Sequence, residues 1–438
     1  MEVEIELISK EFIKPSSPTP DHLRHYQLSF LDQLSPKVYN PWLLFYLLNN
    51  DDHVHHSEFN NITNISYHLK KSLSQVLSLY YPLAGRVKDG LNIIDCNDEG
   101  VPFFEARVKG KLSDVIDNPN INELDRFLPF KLDDVTELAL GLQINVFECG
   151  GIAIGVCNSH QLSDALSNIT FIKTWVATAR REPDIVRPEF ISGKLFPPKN
   201  LVGLNPSIGI TRKNIMTKRF VFKAATIEAL RAKYDENSLG EDRRRPSRVE
   251  ALSAFIWSRF VAATNGDQSG HDDQKTYIVL HAVNLRPRFE PPLGENHFGN
   301  YFRVAITVPS LKTGEDLCHG FVRQVREEIR KIDKEFVRKL QEGNEHLELL
   351  KDRSEGFVKG EVITFAFTSL CRFPVYEADF GWGKPTWVGS AALNFHNVTV
   401  FMDAKNGDGI EAYLSLKDED LAKLEVDKEF QACVSLTE

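Results

Sequence analysis

One stretch constrains the fold of this chain more than any other: between Leu142 and Val176 the hydrophobic period changes once. Leu142, Ile144 and Val146 alternate with polar neighbours, the period of a strand. Gly150-Gly151 then signals a turn, and the apolar run from Ile152 to Ser159 reads as the return strand of a hairpin. Beyond it the spacing becomes helical, with Leu162, Leu166, Ile169, Ile172 and Val176 on one face. A hairpin running into a helix must bury both apolar sides against each other, which predicts a layered α/β core. At the junction stand His160-Gln161-Leu162-Ser163-Asp164. A histidine delivered by a buried strand to a helix start is held rigidly, as a general base must be. Asp164 is expected in the first helical turn, where a carboxylate suits the helix dipole.

Mixed patterns continue along the chain. Leu69, Leu73, Val76 and Leu77 predict a helix over Ile65–Leu79, stopped by Pro82. Arg181–Lys218 breaks the rhythm with Pro183, Pro188, Pro197, Pro198 and Pro206, which reads as a linker. A second α/β half is expected from about Arg219-Phe220-Val221-Phe222. The resulting division is an N-terminal domain over 1–185, a crossover linker over 186–218 and a C-terminal domain over 219–438, with a segment near 375–400 a candidate to pack with the first.

Composition excludes several classes. With 52 basic against 61 acidic side chains the net charge is −9, opposite in sign to a general nucleic-acid binder. The 29 Phe against 3 Met predict aromatic-rich cores. Six cysteines without a C-x-x-C pair fit neither a disulfide scaffold nor a zinc site, and are read as buried free thiols in a reducing compartment. His160 and Asp164 lack a third ligand nearby, so no metal is expected. The acidic start, Met1 to Glu6, resembles no targeting peptide, and no apolar run approaches the ~20 residues of a membrane span. A cytosolic protein is the expectation.

Chemistry concentrates at His160. Its side chain is neutral near physiological pH and accepts a proton from a hydroxyl or amine. Asp164 has two readings: it orients the imidazole as in a triad, or it pairs with an arginine and positions the histidine loop indirectly. No G-x-S-x-G elbow, phosphate loop or G-x-G-x-x-G stands in the sequence, which leaves direct transfer through histidine as the simplest enzyme reading. Two further segments have unusual composition. Asp379-Phe380-Gly381-Trp382-Gly383-Lys384-Pro385 reads as a tight structural loop. Arg243 to Arg248 offers a local cationic patch suited to a phosphate.

Taken together, His160-x-x-x-Asp164 and Asp379-Phe-Gly-Trp-Gly383 resemble the paired signatures of the plant BAHD acyltransferases. Supporting stretches run along nearly the whole chain: Lys14 to Pro20, Leu28-Ser-Phe-Leu-Asp32-Gln33, Tyr81-Pro-Leu-Ala-Gly85-Arg86, Asn284-Leu-Arg286-Pro-Arg288 and Phe298-Gly299-Asn300. Within that family the chain looks most like the alkaloid and terpenoid O-acetyltransferases. The resemblance implies two similar mixed-sheet domains of the chloramphenicol-acetyltransferase type, joined by a long crossover loop around an active-site channel. It implies acetyl-CoA or another acyl-CoA as co-substrate, no permanently bound cofactor, a small-molecule alcohol as acceptor, and a monomer. His160 would carry the acceptor proton to the departing thiolate. Asp164 would pair with Arg286, and Asp379, Gly381, Trp382 and Gly383 would be structural.

Departures from the family pattern matter. Ala165 stands where many relatives carry Gly after the Asp. Leu370 replaces the Trp found two residues beyond a Thr in relatives that acylate shikimate or quinate, which speaks against that acceptor class. Thr368 and Asn300 are candidates for the oxyanion or substrate, and Ser247 and Arg248 for the coenzyme. The alternatives are a larger acyl-CoA, an amine acceptor, or a cyclase or binding protein on the same fold that uses no CoA.

Overall fold

The computed structural model describes residues 3–48, 62–88, 90–201, 214–235, 244–265, 276–309, 315–342, 362–405, 407 and 409–435. The chain forms two compact units. The first comprises Met1–Val202, Leu293–Tyr301 and Phe373–Ala392; the second comprises Gly203–Pro292, Phe302–Arg372 and Leu393–Glu438. The boundaries differ from the sequence expectation. Residues 186–201, expected in the linker, belong with the first unit. There Phe190 sits edge-on to Tyr26, Tyr81 and Phe298, and Glu189 bridges to His297. Residues 202–213 of that stretch lie outside the described residues.

In the first unit, strands β1 (Ile5–Ile13), β3 (Tyr39–Tyr46), β6 (Val101–Val108), β7 (Leu140–Phe147), β8 (Ile152–Ser159) and β13 (Trp387–Gly389) form one sheet in the order β1-β6-β7-β8-β3-β13. A smaller sheet joins β2 (His25–Gln27), β5 (Ile93–Asp95) and β4 (Arg86–Lys88). Strands β7 and β8 are the predicted hairpin, antiparallel with Ile144 opposite Ile154. Every residue of β8 is buried, which its unbroken apolar run requires. Gly155 is needed there because a Cβ would lie 2.1 Å from the Phe127 carbonyl oxygen.

The helices of this unit are α1 (Phe30–Gln33), α2 (Ile62–Leu77), α3 (Ser113–Ile116), α4 (Ala165–Ala179) and α5 (Ser192–Leu195). The predicted α2 face, Leu69, Leu73, Val76 and Leu77, is buried. Helix α4 packs against α2, and Trp175 Nε1 donates to Ser72 Oγ at 3.0 Å. The sequence predicts an amphipathic α4, but it is buried nearly all round. Its polar residues tolerate this because Thr170, Thr174 and Thr178 each donate a hydroxyl to the carbonyl four residues back at 2.8 Å.

In the second unit, β9 (Ile215–Lys223), β10 (Thr276–Asn284), β11 (Phe302–Thr307), β12 (Val362–Ser369), β14 (Val398–Asp403) and β15 (Gly409–Lys417) form a sheet in the order β11-β10-β12-β14-β15-β9. Its helices are α6 (Ala224–Lys233), α7 (Arg248–Asn265), α8 (Glu315–Arg330), α9 (Lys334–Glu342), α10 (Asp418–Glu425) and α11 (Lys428–Cys433). The core is aromatic, as the Phe content predicts: Trp257 of α7 meets Tyr277, Phe321 and Phe365, and Phe430 meets Phe220 and Phe255.

One expectation for the thiols fails. Cys96 and Cys157 are buried, but Cys149 is exposed because it lies in the β7–β8 turn; these two classes and the half-buried Cys371 and Cys433 are all unpaired with one another. Among the described residues no helix is long and apolar enough to cross a membrane.

Candidate active site

Strand β8 ends at Ser159, whose N–H donates to the Ala139 carbonyl at 2.8 Å. His160 follows in a turn and is fixed at both main-chain groups. Its N–H donates to the Val38 carbonyl at 2.9 Å, and its carbonyl accepts from Asn300 Nδ2 at 2.8 Å. The residue keeps some exposed surface, whereas its ring nitrogen Nδ1 has none. Burial therefore holds the imidazole pKa below the ordinary histidine value. Its own backbone, the Asp164 charge, the Asn300 side chain and the Ser163 backbone act in the opposite direction. The net direction keeps the ring neutral at pH 7, the form that accepts a proton.

Asp164 is placed one step earlier than the sequence pattern suggests. It is the N-cap of α4 rather than a residue of its first turn, with extended backbone at φ −79° and ψ 174°. Its Oδ1 accepts from the Ser167 N–H at 2.9 Å, and its Oδ2 accepts from the Tyr301 N–H at 3.0 Å. One carboxylate thus satisfies a helix start and a second chain segment.

That second segment, Gly299-Asn300-Tyr301, is stitched to the histidine loop along its length. The Gly299 carbonyl accepts from the Asp164 N–H at 3.3 Å and from Ser167 Oγ at 2.9 Å. Asn300 was a candidate for the oxyanion or substrate. Both its Nδ2 hydrogens are committed here, one to the His160 carbonyl and one to Asp32 Oδ1 at 2.8 Å.

Asp32 is fully buried and belongs to this cluster, although the sequence singled it out only as part of a family stretch. Its Oδ2 accepts from Ser29 N and Ser29 Oγ, both at 2.7 Å, and its Oδ1 also accepts from the Asn300 N–H at 3.0 Å. Burial pushes its pKa up to about 6 against these four donors. The signal that marks it is the Ser29-x-x-Asp32 capping box of the four-residue α1.

The Asp379 loop lies at the other end of α4. Asp379 Oδ1 accepts from the Gly381 and Gly383 N–H groups at 2.8 Å each, across glycines at φ +117° and +107°. Its Oδ2 accepts from Arg180, the C-cap of α4, at 2.9 Å. Phe380 packs edge-on to Trp175 at 4.7 Å, and Trp382 stacks on Phe380 at 5.5 Å.

The remaining candidates belong to the second unit. Arg286 is buried, and Asn284 Oδ1 accepts from its N–H at 3.1 Å. Thr368 stands half-buried on β12, in register with Val400 of β14. Ser247 caps α7 in a capping box with Glu250. Arg248 donates to Asp403 at 2.8 Å, and Arg245 donates to Glu228 at 2.9 Å. The charge of the arginine loop is thus partly offset within its own unit; Arg243 lies outside the described residues. Among the described residues no group of three His, Cys, Asp or Glu side chains could hold a metal ion.

Comparison with known proteins places the chain in a family. A family model described as Transferase family matches residues 3–431. Stemmadenine O-acetyltransferase from Catharanthus roseus is 38% identical over 439 residues, covering 98% of this chain and 97% of its own. Limonoid 21-O-acetyltransferase from Melia azedarach is 37% identical over 437 residues, covering 98% of each. The crystal structure of vinorine synthase superposes with a TM-score of 0.81 at 35% identity, covering 99% of each chain. TRI101 from F. graminearum, complexed with ethyl coenzyme A, shares the fold at a TM-score of 0.69 and 19% identity, covering 94% of this chain and 99% of its own. Matched from end to end, the chain belongs to the Transferase family, the BAHD acyltransferases, and is an enzyme of acyl transfer.

Proposed function

We propose that this enzyme moves acetyl from acetyl-CoA to a hydroxyl of an alkaloid or terpenoid alcohol, with His160 as the general base. The neutral imidazole takes the hydroxyl proton as the oxygen attacks the thioester carbonyl. The tetrahedral intermediate collapses, the C–S bond breaks, and the imidazolium returns its proton to the leaving thiolate. No bond to the protein forms. The observation that carries the reading is the clamped main chain of His160, joined to a ring that burial keeps neutral. The names of the 36–38% identical relatives favour acetyl as the donor group and alkaloids or limonoids as the acceptor class.

A panel of acyl-CoAs incubated with stemmadenine, limonoid alcohols and extract of the source tissue tests donor and acceptor together. Mass spectrometry should report the gain of one acetyl unit on one metabolite. Replacing His160 by Ala should lower thiol release by at least about 10³-fold while the fold persists, the scale of losing a central proton-transfer residue. Near-normal turnover in that variant, or gain of a different acyl group, would overturn the corresponding part. A cytosolic monomer belongs to the same proposal and is tested by light scattering and tissue fractionation.

A further inference from the structure

Two residues outside the motif pair converge on His160. Asn300 spends one Nδ2 hydrogen on the His160 carbonyl at 2.8 Å and the other on Asp32 Oδ1 at 2.8 Å, and its own N–H reaches the same Oδ1 at 3.0 Å. The opposite carboxylate oxygen is saturated by Ser29. A fully buried carboxylate is costly to desolvate, so its retention needs a reason. Capping a four-residue helix is a weak one, because a neutral amide also caps.

The arrangement of donors supplies a better reason. All four groups facing Asp32 donate, and only a carboxylate accepts on both oxygens. Its charge therefore fixes which way the Asn300 amide points. The nitrogen must face Asp32 and the His160 carbonyl, and the amide oxygen is turned away from both. That oxygen is buried and has no hydrogen-bond partner among the described residues. The Asn300 side chain is also one of the groups that favour the charged form of the His160 ring.

We propose that Asp32 and Asn300 form a positioning relay for His160: the carboxylate locks the amide, the amide holds the histidine main chain, and its oxygen receives the ring N–H when the ring carries the proton. Both would act through His160 rather than on a reacting atom, and both are therefore positioning residues in this proposal. Hydrogen bonds polarised in series by a buried charge strengthen one another, which makes the amide oxygen a better acceptor than an isolated one. The inference rests on the reading of His160 as base.

The test needs no acceptor. Histidine labelled at Cε1 is followed by NMR in the full chain, with the His160 resonance assigned by its loss in His160→Gln. In Asn300→Ala the His160 protonation constant should fall by about three- to tenfold, and Asp32→Asn should shift it in the same direction. Asp32→Asn combined with Asn300→Ala should do no more than Asn300→Ala alone, because both act through one path. Asp164, the other charge acting on the ring, is unchanged in every variant. Should Asn300→Ala not fold, Asn300→Ser is read in the same way. An unaltered His160 titration in a folded Asn300 variant, or additive shifts in the double variant, would overturn the relay. Failure of the acyl-CoA panel would instead overturn the functional reading and leave this titration intact.

Discussion

The double duty of Asp164 gives a prediction that separates its two sequence-level roles. Asp164→Ala removes the N-cap of α4, a loss of about 1 kcal/mol. It also leaves the buried Tyr301 N–H without that acceptor, at about 1–3 kcal/mol. These two contacts alone sum to roughly 2–4 kcal/mol of local stability. Amide exchange over 165–169 and 299–301 should then quicken by about 30- to 1,000-fold, at ~1.4 kcal/mol per decade. Asp164→Asn keeps a good N-cap but sets an amide against the Tyr301 donor, so its loss should be near 1–3 kcal/mol. Hydrogen exchange by mass spectrometry on the two segments is the assay, run beside thiol release from acetyl-CoA. If Asp164→Ala abolished thiol release while exchange in both segments stayed at the wild-type rate, the carboxylate would act on the imidazole itself. The architectural reading would then be wrong.

Two further outcomes follow from buried groups. His281 of β10 stacks on Phe367, and burial lowers its pKa to about 4, so only the unfolded chain protonates between that value and ~6.5. Its contribution is full above pH 6.5 and is lost as pH falls toward 4, about 2 kcal/mol between pH 7.5 and 5.0; His281→Phe should remove that part of the pH dependence of urea stability, and an identical slope in both proteins would refute it. At the Asp379 loop, Trp382→Ala should cost about 3–5 kcal/mol of thermal stability through lost packing, whereas Arg180→Ala should cost under about 1 kcal/mol because that ion pair is partly exposed. The reverse order in a melting experiment would make the ion pair, not the rings, the anchor.

Local signals carried the β7–β8 hairpin and α4, because strand alternation, a Gly-Gly turn and helical spacing all lie within forty residues. The site itself was legible only in part. His160 and Asp164 stand in one short stretch, but Asn300 reaches His160 across 140 positions and Asp32 across 268. No periodicity encodes such a pairing. The segment 293–301 of the first unit was invisible for the same reason, being too short to show a period of its own, whereas 373–392 was anticipated only approximately, as a stretch near 375–400. Asp164 was misplaced by one structural position because Leu162 continues the apolar spacing although it lies outside the helix. The carboxylates that partly offset the arginine run, Glu228 and Asp403, are distant in sequence, so composition alone did not show them.

Helix α4 explains why two motifs so far apart in sequence belong together. Its fifteen residues span about 22 Å at 1.5 Å each. At the N-terminal end Asp164 caps the helix just after the His160 turn; at the C-terminal end Arg180 closes it and meets Asp379. The Asp379 loop binds itself through two glycine N–H groups and presents Phe380 to Trp175, one turn short of the helix end. Tyr46 of β3 donates to the Ala378 carbonyl at 2.7 Å, and β3 is the strand that pairs with β8 along its full length. The loop therefore fixes the far end of α4 and the neighbour of the strand that delivers His160. A helix is stiff along its axis, so pinning one end restricts the other. The C-terminal motif is thereby linked to the histidine turn through the length of α4, with the packing of Phe380 on Trp175 as its point of attachment.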